Sequence, residues 1–233
     1  MYSFESRVRY SETDYNKVMT PTSIINYFQD CSNCHSEDVG AGIAYLNQLQ
    51  RAWILNFWQL DIKRFPQLDE IITVGTWPYE FKGVYGYRNF IMCDKKENVL
   101  AVANTIWVLL DTQTQRPTKV QAENTQAYVI EPAYDMKYEE RKLPVKEALI
   151  AYPSFPVTIS CLDMFHHVNN GQYIRLAQDL IPSDFPIHQV CAEYRKSAVL
   201  GDIIYPYLHI ETNEITVVLA NKELNPFAIV RFR

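Results

Sequence analysis

The chain repeats one arrangement of elements, and this repeat restricts its possible folds more than any other feature. Residues 14–30 align with residues 163–179 at a constant offset, since 163 − 14 = 149 and 179 − 30 = 149. In this register Ile25 falls on Ile174, and each copy places an aspartate ahead of a segment with helical spacing. The shared order of elements supports a duplication more than residue identity does. The sequence therefore predicts two related halves.

Strand-like runs follow the helical segment in each half. They are rich in β-branched and aromatic residues and are bounded by turn residues or charged turns. The runs are 53–63, 70–77, 84–93 and 99–110 in the first half and 190–197, 202–210, 214–220 and 226–232 in the second; residues 1–10 form a further strand. This order predicts an α+β protein with a tandem (double) hotdog fold, in which an antiparallel sheet wraps around a central helix in each half. The predicted domains are 1–117 and 157–233, joined by a connector over 118–156.

Composition excludes several classes of function. The 233 residues are 48% hydrophobic, which supports a large buried core. A formal charge of −5 without any run of Lys and Arg argues against a nucleic-acid partner. No segment is apolar over 18 or more residues, which argues against membrane insertion. The first residues lack a signal-peptide pattern and the cysteines number five, so we expect a cytoplasmic protein with reduced thiols.

Cys31, Cys34 and His35 match the C-x-x-C-H pattern for covalent attachment of c-type haem. Haem attachment of this type accompanies export, which the first residues do not support. Cys31 also continues the helical stripe that contains Ile24 and Phe28. The pattern therefore favours two reduced thiols on a helix, and we expect no cofactor here.

The segment 163–174 places a carboxylate, an imidazole and a polar helix start close together. Asp163 and His167 precede Asn169, Asn170 and Gly171, which are typical residues at a helix start. Backbone N–H groups at a helix start have no partner within the helix, so they could bind a developing oxyanion. This pattern predicts a hydrolytic site.

These residues resemble a known family, the acyl-acyl carrier protein thioesterases, which end fatty acid synthesis in plants and many bacteria. The likeness extends over nearly the whole chain. Besides 163–174, it includes the segments 53–55, 73–77, 103–111 and 114–117. The resemblance implies a catalytic C-terminal hotdog with a motif of the form Asp-x-Asn-x-His-Val-Asn-Asn. It also implies an N-terminal hotdog that forms the acyl pocket.

Asp163 and His167 match the catalytic positions of that motif, but other positions depart from it. Phe165 occupies the middle Asn position, while Ser197 and Ala198 occupy the downstream acidic position and the cysteine position of the plant members. The resemblance thus leaves open a rearranged site or a weak or lost activity. In the first half Val18 stands where the histidine would be, which predicts one site per chain.

Thioester hydrolysis requires an activated water, a donor to the oxyanion and a proton for the thiol. His167 suits the role of base, and Asp163 could orient the imidazole or the water. The predicted catalytic residues further include Asn169, the nearby carboxylate Glu193 and Ser197, with His166 as an alternative imidazole. Glu193 and Ser197 share one face of the predicted strand 190–197. The predicted substrate-binding residues are Asn170, Gly171, Trp53, Phe28 and Trp77.

The resemblance implies hydrolysis of fatty acyl-acyl carrier protein to free fatty acid and holo-carrier protein. The partners would be acyl carrier protein and the fatty acyl chain, and the only cofactor the phosphopantetheine carried by the substrate. Two alternatives remain, an acyl-CoA thioesterase of the same fold and an acyl-binding protein without turnover. A monomer and a homodimer are both compatible with the tandem fold. The candidate basic residues for contact with an acidic carrier are Arg141, Lys142, Lys146, Arg175, Arg195 and Lys196.

Overall fold

The computed structural model describes all 233 residues, which form two compact units. The first contains Met1–Asn56 and Leu60–Glu139, and the second contains Phe57–Gln59 and Glu140–Arg233. Each unit combines an antiparallel sheet with a helix packed on its strands. The predicted α+β class and tandem hotdog fold are therefore confirmed. The boundary between the units lies inside the segment 118–156 that the sequence predicts as a connector.

The first unit has five long or medium strands and two helices. Its sheet runs in the order β1-β3-β4-β5-β2. Strand β6 pairs with the C-terminal end of β5. Helix α1 packs on β1 and β3. The bounds are β1 (Tyr2–Arg7), α1 (Pro21–Asp38), α2 (Ile43–Gln48), β2 (Arg51–Ile62), β3 (Ile71–Lys82), β4 (Tyr85–Asp94), β5 (Val99–Asp111) and β6 (Arg116–Pro117).

Helix α1 begins and ends where its sequence provides caps. The Thr20 hydroxyl accepts a hydrogen bond from the Ser23 N–H, and Pro21 occupies the first helical position, where its missing N–H costs nothing. The helix ends before Gly40, whose φ of +74° is easily reached without a Cβ atom. The predicted apolar stripe of Ile24, Ile25, Phe28 and Cys31 is fully buried.

The second unit contains a shorter helix and a sheet in the order β9-β12-β11-β10-β7. Strand β8 pairs with β10, and α3 packs on β11 and β12. Asn169 caps α3, and Pro182 follows its end, where a proline does not continue a helix. The bounds are β7 (Ile150–Ala151), β8 (Phe155–Pro156), α3 (Asn170–Gln178), β9 (Gln189–Tyr194), β10 (Ile203–Glu211), β11 (Glu214–Ala220) and β12 (Pro226–Phe232).

Strand β9 is shorter than the predicted strand 190–197, because the ladder becomes irregular after Tyr194. The N–H groups of Arg195 and Lys196 both donate to the Phe227 carbonyl, at 2.9 and 3.3 Å. Two successive amides that share one acceptor break the alternation of a regular strand. The prediction that Ser197 lies on the strand face of Glu193 is therefore wrong.

None of the helices has the length and apolar character needed to cross a membrane.

Candidate active site

The candidate site is a tight loop between a 3₁₀ turn, Ile159–Cys161, and the start of α3. The Asp163 Oδ1 atom accepts hydrogen bonds from the N–H groups of Phe165 and His167, at 2.8 and 3.2 Å. The Asp163 N–H donates to the His167 carbonyl at 2.8 Å, which closes the loop at its base. His166, between them, adopts a φ of +61°. Asp163 therefore fixes the backbone on which His167 is carried.

The same loop occurs in the first unit, without a histidine. Asp14 Oδ1 accepts from the N–H groups of Asn16 and Val18 at 2.8 and 3.2 Å, and the Asp14 N–H donates to the Val18 carbonyl at 2.9 Å. Lys17 has a φ of +62°. A 3₁₀ turn, Tyr10–Glu12, precedes this loop and α1 follows it, each 149 positions before its counterpart, since 159 − 10 = 149 and 170 − 21 = 149. The predicted internal repeat thus corresponds to one loop built twice.

His167 is exposed, and its backbone lies beside the segment that follows β9. His167 forms an isolated β-bridge with Val199, and the Val168 N–H donates to the Ala198 carbonyl at 2.9 Å. These contacts bring the 197–199 segment alongside the histidine. Phe165, at the position where the resemblance implies an asparagine, is 55% exposed.

Two tyrosines hold the backbone around this loop, and sequence reasoning did not assign them to the site. The Tyr173 hydroxyl accepts the Ala198 N–H at 2.8 Å, and the Tyr194 hydroxyl donates to the Asn170 carbonyl at 2.9 Å. Their rings lie 5.8 Å apart in the core. Burial raises the pKa of Tyr173 to about 12, so its hydroxyl stays neutral. The helical spacing of Tyr173 indicated only a core residue, and no local signal pointed to its partner on the segment after β9.

The expected oxyanion donors are largely engaged within the protein. The Asn169 N–H donates to the Cys161 carbonyl at 2.9 Å, and the Gly171 N–H donates to the Asn169 Oδ1 atom at 2.9 Å. The N–H groups of Asn169 and Gly171 are therefore engaged within the protein, and the catalytic role of Asn169 stays a prediction. Asn169 is the N-cap of α3, which is the common use of asparagine at this position. Asn170 is the first residue of α3.

Glu193 is hydrogen-bonded to Arg195 and to the backbone of Leu143. Its side chain accepts hydrogen bonds from the Leu143 N–H at 2.8 Å and from Arg195 Nε and Nη2, both at 3.0 Å. Arg195 Nη2 also donates to the Leu143 carbonyl at 3.1 Å. This network joins the segment around Leu143 to β9, and a catalytic role for Glu193 stays a prediction. Ser197 is exposed and lies next to Ala198, on the segment that pairs with the candidate loop.

The predicted acyl-pocket residues lie in the first unit as parts of its core and rim. Phe28 is fully buried and packs on Phe90 with ring centroids 5.2 Å apart. Trp53 contacts Phe81 at 5.8 Å. The Trp77 indole N–H donates to the Pro132 carbonyl at 2.9 Å. Each of the three aromatic residues thus has a contact within the protein. Their contact with an acyl chain stays a prediction.

Cys31 and Cys34 lie on α1 as free cysteines, the first buried and the second exposed. Burial raises the pKa of Cys31 to about 12. The neighbouring His35 accepts a hydrogen bond from Arg88 Nη1 at 3.0 Å, and burial together with that guanidinium lowers its pKa to about 4. Throughout the chain, no three His, Cys, Asp or Glu side chains come together as a group that could hold a metal ion.

Two units that each combine an antiparallel sheet with a helix, and a loop with Asp163 and His167 before α3, define a tandem hotdog protein. Two family models match the sequence, the acyl-ACP thioesterase N-terminal domain over residues 1–128 and the acyl-ACP thioesterase C-terminal domain over residues 146–223. The chain belongs to the acyl-ACP thioesterase family.

Individual relatives agree with this assignment. The oleoyl-acyl carrier protein thioesterase of Coriandrum sativum is 24% identical over 232 residues, which are 91% of this chain and 63% of that protein. The chain thus spans less than two thirds of this curated relative. The crystal structure of an acyl-ACP thioesterase from Bacteroides thetaiotaomicron matches with a TM-score of 0.92 and 20% identity, covering 99% of this chain and 96% of that one. The 12:0-ACP thioesterase from Umbellularia californica matches with a TM-score of 0.83 and 16% identity, covering 100% and 97%.

Proposed function

We propose that the protein hydrolyses the thioester of fatty acyl-acyl carrier protein and releases free fatty acid and holo-carrier protein. The observation that carries the proposal is the exposed His167 on a loop that Asp163 fixes at the start of α3. The membership of both halves in the acyl-ACP thioesterase family supports this choice of reaction.

In the proposed mechanism His167 is the general base. Its neutral imidazole takes a proton from water while the water oxygen attacks the thioester carbonyl carbon. The tetrahedral intermediate then collapses, the C–S bond breaks, and the imidazolium returns the proton to the departing thiolate. A thiolate is a good leaving group, so one well-placed acid–base residue suffices for a useful rate. The only cofactor involved is the phosphopantetheine of the substrate.

Asp163 acts in this scheme by positioning the histidine backbone. Its Oδ1 atom is engaged by two N–H groups, so its contribution to the orientation of the imidazole is made mainly through the loop. The positive end of α3 lies beside the loop and favours the developing oxyanion through its dipole. With the N–H groups of Asn169 and Gly171 engaged, this dipole replaces part of the direct donation that the sequence predicted.

The proposed partner is an acidic acyl carrier protein. Among the candidate basic residues, Arg195 pairs with Glu193, and Lys146 lies 3.4 and 3.6 Å from Glu211 and Glu214. These pairs reduce the charge that the two residues can offer to a carrier. Lys142 and Lys196 are exposed and are the better candidates for contact with it.

The test is release of free thiol from acyl-carrier proteins with chains from short to long. The wild type is compared with His167→Ala, and the same acyl chains are supplied on CoA. We expect faster turnover on carrier protein than on CoA, and a loss of about 10²-fold or more in His167→Ala. Circular dichroism and thermal unfolding of each variant verify that the fold is retained.

Three results would contradict the proposal. Equal or faster hydrolysis of acyl-CoA would identify the chain as an acyl-CoA thioesterase of the same fold. Acyl binding without turnover on any chain length would identify an acyl-binding protein. Full activity in a folded His167→Ala variant would exclude the proposed base.

A further inference from the structure

Val199 lies directly opposite His167, the proposed base. The two residues form an isolated antiparallel bridge, and the hydrogen bond beside it runs from the Val168 N–H to the Ala198 carbonyl at 2.9 Å. A bridge flanked in this way is a non-hydrogen-bonded pair, in which the two side chains project to the same face with Cβ atoms about 4.5–5.5 Å apart. Val199 is 42% exposed, and His167 is exposed as well. An accessible apolar side chain therefore lies beside the accessible imidazole.

The backbone of Val199 is fixed on both sides. Its N–H donates to Asp202 Oδ2 at 3.0 Å. The preceding residue, Ala198, donates its N–H to the Tyr173 hydroxyl at 2.8 Å and accepts from the Val168 N–H through its carbonyl. A β-branched side chain is also stiff about χ1. The two methyl groups of Val199 are thus held in place beside the base.

The loop of the first unit has polar side chains at the two corresponding positions. Val18 forms the equivalent bridge with Gln67, which takes the place of Val199. Asn16 corresponds to Phe165, which is 55% exposed, since 165 − 16 = 149. Single exposed apolar residues are common on protein surfaces. Two of them beside the histidine, where the loop without a histidine has two polar residues, indicate contact with an apolar part of the substrate.

The substrate carbons next to the thioester come within reach of Val199 in the proposed function, on which this inference rests. The base holds the attacking water at about 2.6–3.2 Å, and the water oxygen approaches the carbonyl carbon to about 3–3.5 Å. The carbonyl carbon thus lies about 6 Å from the imidazole nitrogen, which is comparable with the separation of the two paired side chains. C2 and C3 of the acyl chain follow within two bonds. On the other side of the sulfur, the pantetheine arm soon reaches an amide, which requires hydrogen-bond partners that a valine does not supply.

We propose that Val199 is a specificity-determining residue, which contacts C2 and C3 of the acyl chain and selects chains with a methylene at C3. A hydroxyl at C3 would lose its water against the valine methyl groups and gain no hydrogen bond. An apolar wall rejects an added hydroxyl only moderately, by about 10²-fold at most. The preferred substrates are therefore acyl-carrier proteins reduced at C3, and 3-hydroxyacyl-carrier proteins are the disfavoured class.

The test is kcat/KM for thiol release from a saturated acyl-carrier protein and from the 3-hydroxyacyl-carrier protein of the same chain length. We expect the wild type to favour the saturated chain by about tenfold to 10²-fold. Val199→Thr keeps the shape of the side chain and supplies a hydroxyl, so it should lower this ratio by about fivefold or more. The ratio compares two substrates on one enzyme, so a general loss of activity or of folded protein cancels from it.

Two variants are matched controls. Val199→Leu keeps an apolar side chain at the same position and should keep the preference for the saturated chain. Val145→Thr makes the same exchange at a valine of similar exposure, 44%, which belongs neither to the loop nor to the 197–199 segment. This variant should have the wild-type ratio.

Binding distinguishes a failure of this inference from a failure of the proposed function. Dissociation constants of the same two acyl-carrier proteins are measured by isothermal titration with His167→Ala and with the double variant His167→Ala/Val199→Thr, neither of which needs to turn over. If the wild type hydrolyses neither substrate, the proposed function fails, and the ratio of these constants decides on Val199 instead of the ratio of rates. The inference is overturned if the deciding ratio shows no preference for the saturated chain. It is also overturned if Val199→Thr leaves that ratio unchanged.

Discussion

The two units contain the same loop, but only the second carries an ionisable group at its last position. Asp14 and Asp163 each bind two backbone N–H groups with the same distances, 2.8 and 3.2 Å. Lys17 and His166 have matching positive φ angles. This agreement shows that the aspartate closes the loop in both units, and Asn221 Oδ1 accepts two backbone N–H groups in the same pattern at a turn outside these loops. An aspartate at this position therefore does not indicate catalysis, and the residue that separates the two loops is His167 in place of Val18.

The surroundings of the two loops differ in a second respect. Tyr173 and Tyr194 bind the backbone on either side of the second loop, at Ala198 and Asn170. Ile24 occupies the position of Tyr173 in the first unit, since 173 − 149 = 24, and its side chain has no hydroxyl. These two hydroxyl contacts are thus found in the unit with the histidine, whereas the first loop is held by backbone bonds such as that from the Leu68 N–H to the Lys17 carbonyl, at 2.9 Å.

Exchanging the distinguishing residues gives the largest expected effect. His167→Val makes the second loop resemble the first, and we expect thiol release from acyl-carrier protein to fall about 10²- to 10⁴-fold, because the acid–base group is lost. Val18→His places an imidazole on the first loop and should not restore activity to His167→Val. Restoration in the double variant would show that the loops are equivalent in chemistry as well as in geometry.

Removal of each aspartate separates its structural role from its effect on the rate. Asp14→Ala and Asp163→Ala each remove the acceptor of two backbone N–H groups, so each should lower the free energy of unfolding by about 1–2 kcal/mol. Only Asp163→Ala should reduce the rate of hydrolysis, by about tenfold or more, because it releases the backbone of His167. Urea unfolding and thiol release measure the two quantities. Similar activity of the two variants would restrict Asp163 to a structural role.

The sequence predicted what depends on local periodicity and failed where distant segments meet. The strands 214–220 and 226–232 coincide with β11 and β12, and the offset of 149 located both loops and both helix starts. By contrast, the hydrogen bonds of Glu193 depend on Leu143, fifty positions earlier, and that of Tyr173 depends on Ala198, 25 positions later. Such tertiary hydrogen bonds leave no periodic signal in the chain.

Loss of a tyrosine hydroxyl should affect the second loop more moderately. Tyr173→Phe leaves the Ala198 N–H without its buried acceptor, which should lower the free energy of unfolding by about 1–3 kcal/mol. We also expect kcat to fall while KM stays nearly constant, because the segment beside His167 loses its anchor. Ile24→Val, a small change in the equivalent core position, serves as the control for packing. A stability loss with unchanged kcat would exclude a positioning role for Tyr173.

The smallest expected effect is on the pH dependence of stability. One histidine in each unit contributes to it, and the two contributions should have opposite signs. The pKa of His35, lowered to about 4 by burial and Arg88, lies below its unfolded value near 6.5. Its contribution to stability is complete above pH 6.5 and is lost as the pH falls through 4. The pKa of His209 is raised by hydrogen bonds to the Ala148 carbonyl and Glu211, so its contribution is complete below pH 6.5 and is lost at higher pH. The other groups near His35 are Tyr2, Asp38, Tyr128, Glu131 and the amino group of Met1.

Urea midpoints from pH 4.5 to 8 measure both contributions. His35→Gln should flatten the loss of stability on acidification, whereas His209→Gln should lower the midpoint at pH 5.5 more than at pH 8. The same pH dependence in both variants would contradict the opposite shifts.

The loop closes mainly through its own aspartate and backbone, so closure does not depend on the other side chains of the loop. The side chains at its tip, among them Tyr15 and Met164, are exposed and take no part in the closing bonds. Substitutions at the tip can therefore accumulate without loss of the fold. Homologous chains can therefore differ at the tip while the backbone position of the residue that ends the loop, Val18 or His167, is kept.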